Sequence, residues 1–185
     1  GASVSRAGVD YSPAVPSTFN GDDTATTLAA ASDNRFFNMH IAHYITRLIV
    51  GGAQENTLLT CEDQHTLFGD RVTLITGPGL GPEGSLEERA RRAGFDLRIV
   101  DSSRRAIHPW HDWKTYRELL HMLRDIKPDL LHTHSSKAGI IGRAVAAKLR
   151  LPCVHTIHGA SFHYGQSWLA HRVYQSLERW AAKRT

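Results

Sequence analysis

The feature that most constrains this chain is an alternation: from Asn38 onward, short apolar runs and longer segments of helical period trade places five times. The runs are "MHIAHYITRL" (39–48), "RVTLIT" (71–76), "FDLRIV" (95–100), "DLLHTH" (129–134) and "CVHTIH" (153–158). Short apolar runs bounded by Gly, Pro and Asp read as strands. Between them the period changes. Trp113, Tyr116, Leu119, Leu120, Leu123 and Ile126 recur every three or four residues ahead of Pro128, and Leu169, Val173, Leu177 and Trp180 fall on one side of a last helix. Both patterns predict an apolar face turned to a core. Parallel neighbours need a crossover, and crossovers are right-handed, so a repeated β-α order implies a parallel sheet with helices on its faces. The fold class expected is α/β, a Rossmann-like parallel sheet flanked by helices.

Local punctuation agrees. The pair Gly51, Gly52 lets the first strand turn into a helix from about Ala53 to Phe68. Ser85 stands three residues before Glu88, the spacing of a capping box, and Gly94 marks the end of that short helix. Ser135 or Ser136 is placed to cap a helix running to about Leu149. Residues 1–35 are dominated by Ala, Ser, Thr, Asp, Gly and Pro without sustained apolar periodicity, the composition of a disordered tail. Residues 36–185 are expected to form one domain.

Composition narrows the function classes. A formal net charge of +4 favours an anionic partner without choosing one. The Arg-dense stretch Arg89, Arg91, Arg92, Arg98, Arg104 and Arg105 lacks the interleaved aromatics of a single-strand stacking platform, so no nucleic acid is expected. Cys61 and Cys153 are far apart in unlike contexts, which gives neither a disulfide framework nor a zinc knuckle and suits a reducing cytoplasm. No run reaches the roughly 18 apolar residues of a spanning helix, and no basic-then-apolar leader opens the chain.

In open parallel sheets ligands bind along the edge where the strands end. That edge collects Gly51 and Gly52, then His134, Ser135, Ser136 and Lys137, then His158 and Gly159. Three chemistries compete for these residues. A strand-borne H-x-H pair, His132 and His134, with His155 and His158 nearby, offers imidazoles for a metal-dependent hydrolase; against it, the strand ends supply few carboxylates, and a His pointing deeper into the sheet is explained by a backbone hydrogen bond. Ser135 or Ser136 beside His134 offers a nucleophile with a base, but no G-x-S-x-G elbow is present and helix capping explains both serines. The "VGGAQ" turn offers backbone N–H groups at a helix N-terminus for a phosphate, or else glycine is there for its backbone angles. The turn is not G-x-G-x-x-G and no acidic residue ends the second run, so a nicotinamide cofactor is not indicated.

Three stretches, "ITRLIVGGAQENTLL", "RAIHPWHDWKTYRELLHMLRDIKPDLLHTHSSKAGIIGR" and "LPCVHTIHGASF", together resemble the N-terminal domain of the family 4 glycosyltransferases, retaining enzymes of the GT-B fold. The pairing of "HTHSSKAG" with "HTIHG" about twenty residues later is its most specific part. The resemblance implies the N-terminal, acceptor-side half of a GT-B fold, with Gly51 and Gly52 approaching the donor diphosphate. His158 would face the transferred sugar as the catalytic candidate, while His134, Ser135, Ser136 and Lys137 line the acceptor side. It implies a nucleotide-sugar donor, a glycan or lipid-linked acceptor, no metal and no cofactor, and cytoplasmic chemistry in polysaccharide biosynthesis. The Lys, Arg and paired Glu that hold the donor in that family would belong to a C-terminal domain outside these residues, so the 185-residue chain is expected to be inactive by itself. "SSRRAIHPWHDW", with two Arg beside Trp110 and Trp113, suggests contact with an anionic lipid-linked acceptor or the membrane surface; Trp113 as core and the Arg side chains as solvated is the plainer alternative. A non-catalytic Rossmann-like module that binds a sugar or phosphate stays open beside the transferase.

Overall fold

The computed structural model describes residues 38–159, 165 and 167–185; the expected tail, 1–35, lies outside them. The elements are β1 (His40–Ile45), α1 (Gly52–Thr66), β2 (Arg71–Thr76), α2 (Glu87–Arg92), β3 (Asp96–Ile99), α3 (Pro109–Ile126), β4 (Leu130–His134), α4 (Ser136–Leu149), β5 (Cys153–Thr156) and α5 (Trp168–Ala182). Every strand pairing is parallel, in the order β3-β2-β1-β4-β5. The order reverses between β1 and β4, and there the strand ends separate to leave a crevice.

Two cores lie on opposite faces of the sheet. On one, Leu119, Leu120, Leu123 and Ile126 of α3 and Ala138, Ile141, Val145 and Ala146 of α4 pack against Ala42, Tyr44 and Leu131. On the other, Leu58 and Cys61 of α1 and Ala90 of α2 pack against Ile45, Val72 and Leu74. Strand alternation assigns the histidines between these faces. His43, His132 and His134 share the α1 face with Ile45, whereas Thr133 and His155 take the α4 face.

α4 lies close to the sheet because it carries glycine where it crosses. A Cβ on Gly139 would meet the His155 ring, with Nδ1 at 2.8 Å and Nε2 at 2.9 Å, and one on Gly142 would meet Thr133 Cγ2. α5 rests on α4, tied by Arg143, whose guanidinium is buried and donates to Glu178 Oε2 at 2.7 Å and to Gly139 O at 2.9 Å.

Several expectations need correction. The fifth strand stops at Thr156, and the first stops at Ile45 because the chain after it pairs with the 84–86 segment, through Val50 N to Gly84 O and Leu86 N to Leu48 O. The capping box does not form: Ser85 Oγ accepts from Glu87 N, and Glu88 pairs with Arg92. Gly94 does end that helix in the left-handed region, at φ 89°. Ser135 takes the N-cap position of α4 but makes no capping bond. Trp113 is 49% exposed, because the buried stripe of α3 runs through Thr115, Leu119, Leu120, Leu123 and Ile126 instead. On α5, Leu169, Val173 and Trp180 are exposed and Leu177 lies at the edge of the contact with α4, which runs through Arg143 to Glu178 and the buried Ala181.

Candidate functional site

The strand-end edge carries two adjoining depressions. One, about 310 Å³, is lined by Thr46, Arg47, Gln54, Arg105, Ser135, Ser136 and Lys137. The second, about 350 Å³, opens between α3, α4 and α5; its apolar wall is Ile107, Ile140, Ile141, Tyr174 and Leu177. Arg105, Ser136 and Lys137 belong to both. A cationic depression thus runs into an apolar one across a shared polar ridge.

Arg105 is one of the two arginines of "SSRRAIHPWHDW" for which the sequence offered contact with an anionic acceptor or plain solvation. It is exposed and has no ion pair among the described residues, and the fold holds the loop that carries it in place. Upstream, Ser102 Oγ donates to Glu118 Oε2 and accepts from Thr115 Oγ1, both at 2.9 Å, and Ser103 Oγ donates to Thr46 O at 3.1 Å. Downstream, Lys137 Nζ donates to Arg104 O at 2.8 Å and Ala106 O at 2.5 Å, and pairs with Asp112 Oδ1 at 2.5 Å. Two hydrogen bonds to backbone carbonyls and an ion pair thus make Lys137, which lines both depressions, a clamp on this loop as well. The stretch "SSRRAIHP" lies between the end of β3 and a helix opened by Pro109, which puts Arg105 on the strand-end edge.

Gly51 and Gly52 open α1 at the crevice. Gly51 is extended, φ 170°, a conformation any residue adopts. A Cβ on it would meet the movable end of Gln54, and one on Gly52 would meet nothing within 4 Å. Neither backbone angle nor internal packing calls for glycine here, which removes the plain βα-turn explanation. What the pair creates is uncovered backbone at the start of a 15-residue helix, whose N–H groups and dipole favour an anion.

Ser135 is held at φ 65°, ψ 151°, a region that strongly favours glycine. Its Oγ lies 2.9 Å from Thr46 Oγ1, which ties the end of β4 to the end of β1 across the crevice. That bond, together with the ring contacts of His134, leaves no serine–histidine pair here. Ser136 follows as the first residue of α4.

His134 is fully buried, not open to the cleft. Its Nε2 lies 3.0 Å from His43 Nδ1 and its Nδ1 3.1 Å from His158 Nε2, while His43 Nε2 donates to Gln64 Oε1 at 2.7 Å. His132 lies beside them, 2.7 Å from Thr156 Oγ1. Burial dominates their chemistry. It pushes His43 and His132 down to about 4 and His134 down to about 2, each helped by neighbouring imidazoles, and it lowers His155 and His158 as well. His43, His132 and His134 each place one ring nitrogen within 4.8 Å of the others, the arrangement of a three-imidazole cation site. The hydrogen-bonded contacts already engage both nitrogens of His43 and of His134, and a cation would have to break them.

The fold is that of one half of a GT-B glycosyltransferase. It is similar to Acinetobacter baumannii MurG, with a TM-score of 0.53 and 14% identity over 75% of this chain and 39% of that one. It is equally similar to Anabaena Alr3699/HepE in complex with UDP and glucose, with a TM-score of 0.53 and 16% identity over 75% of this chain and 35% of that one. In sequence, residues 51–185 match the glycosyl transferase 4-like domain family, and the chain belongs to that family. A UDP-Gal:alpha-D-GlcNAc-diphosphoundecaprenol alpha-1,3-galactosyltransferase of Escherichia coli is 44% identical over 75 residues, which are 40% of this chain and 19% of that protein. The chain thus spans well under half the length of each of these relatives. No helix among the described residues is long and apolar enough to cross a membrane.

Proposed function

We propose that this chain is the acceptor-side domain of a glycosyltransferase that moves a sugar from a nucleotide-sugar donor to a lipid-linked acceptor carrying a diphosphate, with retention. The observation that carries the reading is the junction of the two depressions. Arg47 and Arg105 sit where a diphosphate would lie, and the Ile107, Ile140, Ile141, Tyr174, Leu177 wall sits where the first segment of a lipid would leave it. An amphiphile with an anionic head needs that adjacency, and a water-soluble glycan does not. The named acceptor of the Escherichia coli relative, a sugar on diphosphoundecaprenol, is of this class.

In this reading the bare backbone at Gly51 and Gly52 approaches the donor diphosphate, and His158 faces the sugar that is transferred. Ser135, Ser136, Lys137 and the α4 N-terminus line the acceptor side, and His134 supports that wall from behind. The bond from the anomeric carbon to the departing phosphate oxygen breaks, the bond to the acceptor oxygen forms on the same face, and the hydroxyl proton passes to the departing phosphate. The dipole and free N–H groups at the start of α1 stabilise the charge that develops there, with no metal required. A donor-binding domain outside these residues supplies the remaining contacts. In this reading the reaction runs at the cytoplasmic membrane surface, with Arg104, Arg105 and the exposed Ile107, Trp110 and Trp113 turned to acidic lipid.

The test is sugar transfer by the chain joined to its donor domain. Arg105→Ala and Ile140→Glu are each expected to raise the KM for a polyprenyl-diphosphate-linked acceptor at least tenfold, and His158→Ala to lower kcat strongly. Equal use of the same glycan without its lipid diphosphate would defeat the acceptor assignment, and an unchanged rate for His158→Ala would defeat the role given to that residue.

A further inference from the structure

Gln64, His43, His134 and His158 form one unbroken file of hydrogen-bonded side chains, reaching from α1 across β1 and β4 to the end of β5. The contacts are 2.7 Å from Gln64 Oε1 to His43 Nε2, 3.0 Å from His43 Nδ1 to His134 Nε2, and 3.1 Å from His134 Nδ1 to His158 Nε2. The geometry points to Gln64 as a positioning residue: its amide oxygen sets the tautomers of all three imidazoles, so that His158 carries its proton on Nε2 and keeps Nδ1 bare.

The logic is that of donors and acceptors counted in order. An amide oxygen only accepts, so the proton of His43 must sit on Nε2. A neutral imidazole has one N–H, so His43 Nδ1 is an acceptor and His134 Nε2 must donate to it. The same step repeats: His134 Nδ1 is bare, and His158 Nε2 donates to it. Neutrality is secured by burial, which disfavours the charged form of each ring. His158 Nδ1 then has no partner among the described residues. An amide turned over would reverse each bond in the file and place the proton on His158 Nδ1.

The consequence reaches the reaction only through the transferase reading, on which this last step rests. A bare Nδ1 accepts a hydrogen bond from a sugar hydroxyl, whereas a protonated one would donate to an anion. The tautomers themselves do not depend on that reading, and the experiment separates the two because it uses no sugar.

Long-range nitrogen–proton correlation spectra of the histidine-15N-labelled chain at pH 7.5 read each ring directly, with assignment by His43→Gln, His134→Gln and His158→Asn. His43, His134 and His158 are expected to be protonated on Nε2 and bare on Nδ1. Gln64→Glu, which can only accept at that pH, should preserve the pattern at His158. Gln64→Leu should turn the His158 signals into those of a mixture while the far-ultraviolet circular dichroism stays unchanged. An Nδ1-protonated His158 in the unsubstituted chain would overturn the proposal, whether or not any variant folds. So would an unaltered His158 tautomer in Gln64→Leu, or uptake of one equivalent of zinc with displacement of the ring protons of His43 and His134.

Discussion

Acid should unfold this protein through its histidines before its carboxylates take part. His43 and His134 are buried and neutral, pushed down to about 4 and about 2 from the ordinary 6.5. The charges that bear on His134 are the other imidazoles, His132, His43, His158 and His155, and all of them oppose its protonation. The sign follows directly. Below pH 6.5 the unfolded chain takes up protons that the folded chain refuses, so stability falls as pH drops through the window from 6.5 to about 4, and is flat with respect to these groups above 6.5. At about 1.4 kcal/mol per pH unit, one such histidine loses about 2 kcal/mol between pH 6.5 and 5.0. His43 and His134 are neighbours in one hydrogen-bonded file, so that one-histidine figure is the floor; His40, His132, His155 and His158 push in the same direction. For a chain of this size the floor corresponds to a fall in Tm of roughly 4–8 °C. Circular-dichroism melts at half-unit intervals from pH 7.5 to 4.5, at constant ionic strength, measure it. Carboxylates act mainly below about pH 5, so the interval from 6.5 to 5.0 isolates the imidazoles, and His43→Gln should make the fall across it shallower without abolishing it. A Tm that is level across that interval, or that rises toward pH 5, would refute the claim that these rings are held neutral in the fold.

Two other perturbations follow from single contacts. Glu178→Ala leaves the Arg143 guanidinium buried without its carboxylate, and should lower stability by about 3 kcal/mol in urea unfolding, whereas Arg143→Met, which removes the charge and keeps the volume, should cost clearly less; equal losses would show that the pair is not what anchors α5. Ser135→Gly exchanges the bond to Thr46, worth about 1 kcal/mol, for relief of a backbone strain of about 1–3 kcal/mol, so Tm should hold or rise; a clear fall would show that the left-handed conformation is not a strained one.

The sheet was legible because its signal is repeated. Five apolar runs separated by helical periods leave little freedom in a parallel α/β arrangement, and each missed boundary was a strand end, where neighbouring segments compete for the same backbone groups. Ile49 pairing with Ser85 instead of extending β1 is one case. The exposed faces were not legible for a related reason. The period of Leu169, Val173, Leu177 and Trp180 says that they share a side of α5, but which side meets α4 is decided by Arg143 and Glu178, a polar contact between residues 35 apart. Likewise the sequence places His132 and His134 on one face of β4 and says nothing about His43 from β1 or Gln64 from α1, which the register of β1 against β4 brings alongside them.

The stretch "HTHSSKAG" shows why site residues read from a motif and residues that meet a ligand are different sets. His134 is buried in a file of imidazoles, Ser135 bonds across to Thr46, and Lys137 holds the loop of Arg104 and Ala106. His134 lies behind the surface that a substrate would touch, whereas Ser135 and Lys137 line it with their polar groups engaged in these internal contacts. Beside them at the surface are Arg105, which Lys137 fixes, His158, which His134 orients, and the start of α4, which the strained Ser135 aims into the crevice. A motif of this kind is therefore demanding in every position without supplying the reactive atom. A rim can adapt while the surface stays cationic and open, but Lys137 holds two carbonyls and a carboxylate at once, and an Arg or Met in its place would release the loop and take Arg105 with it.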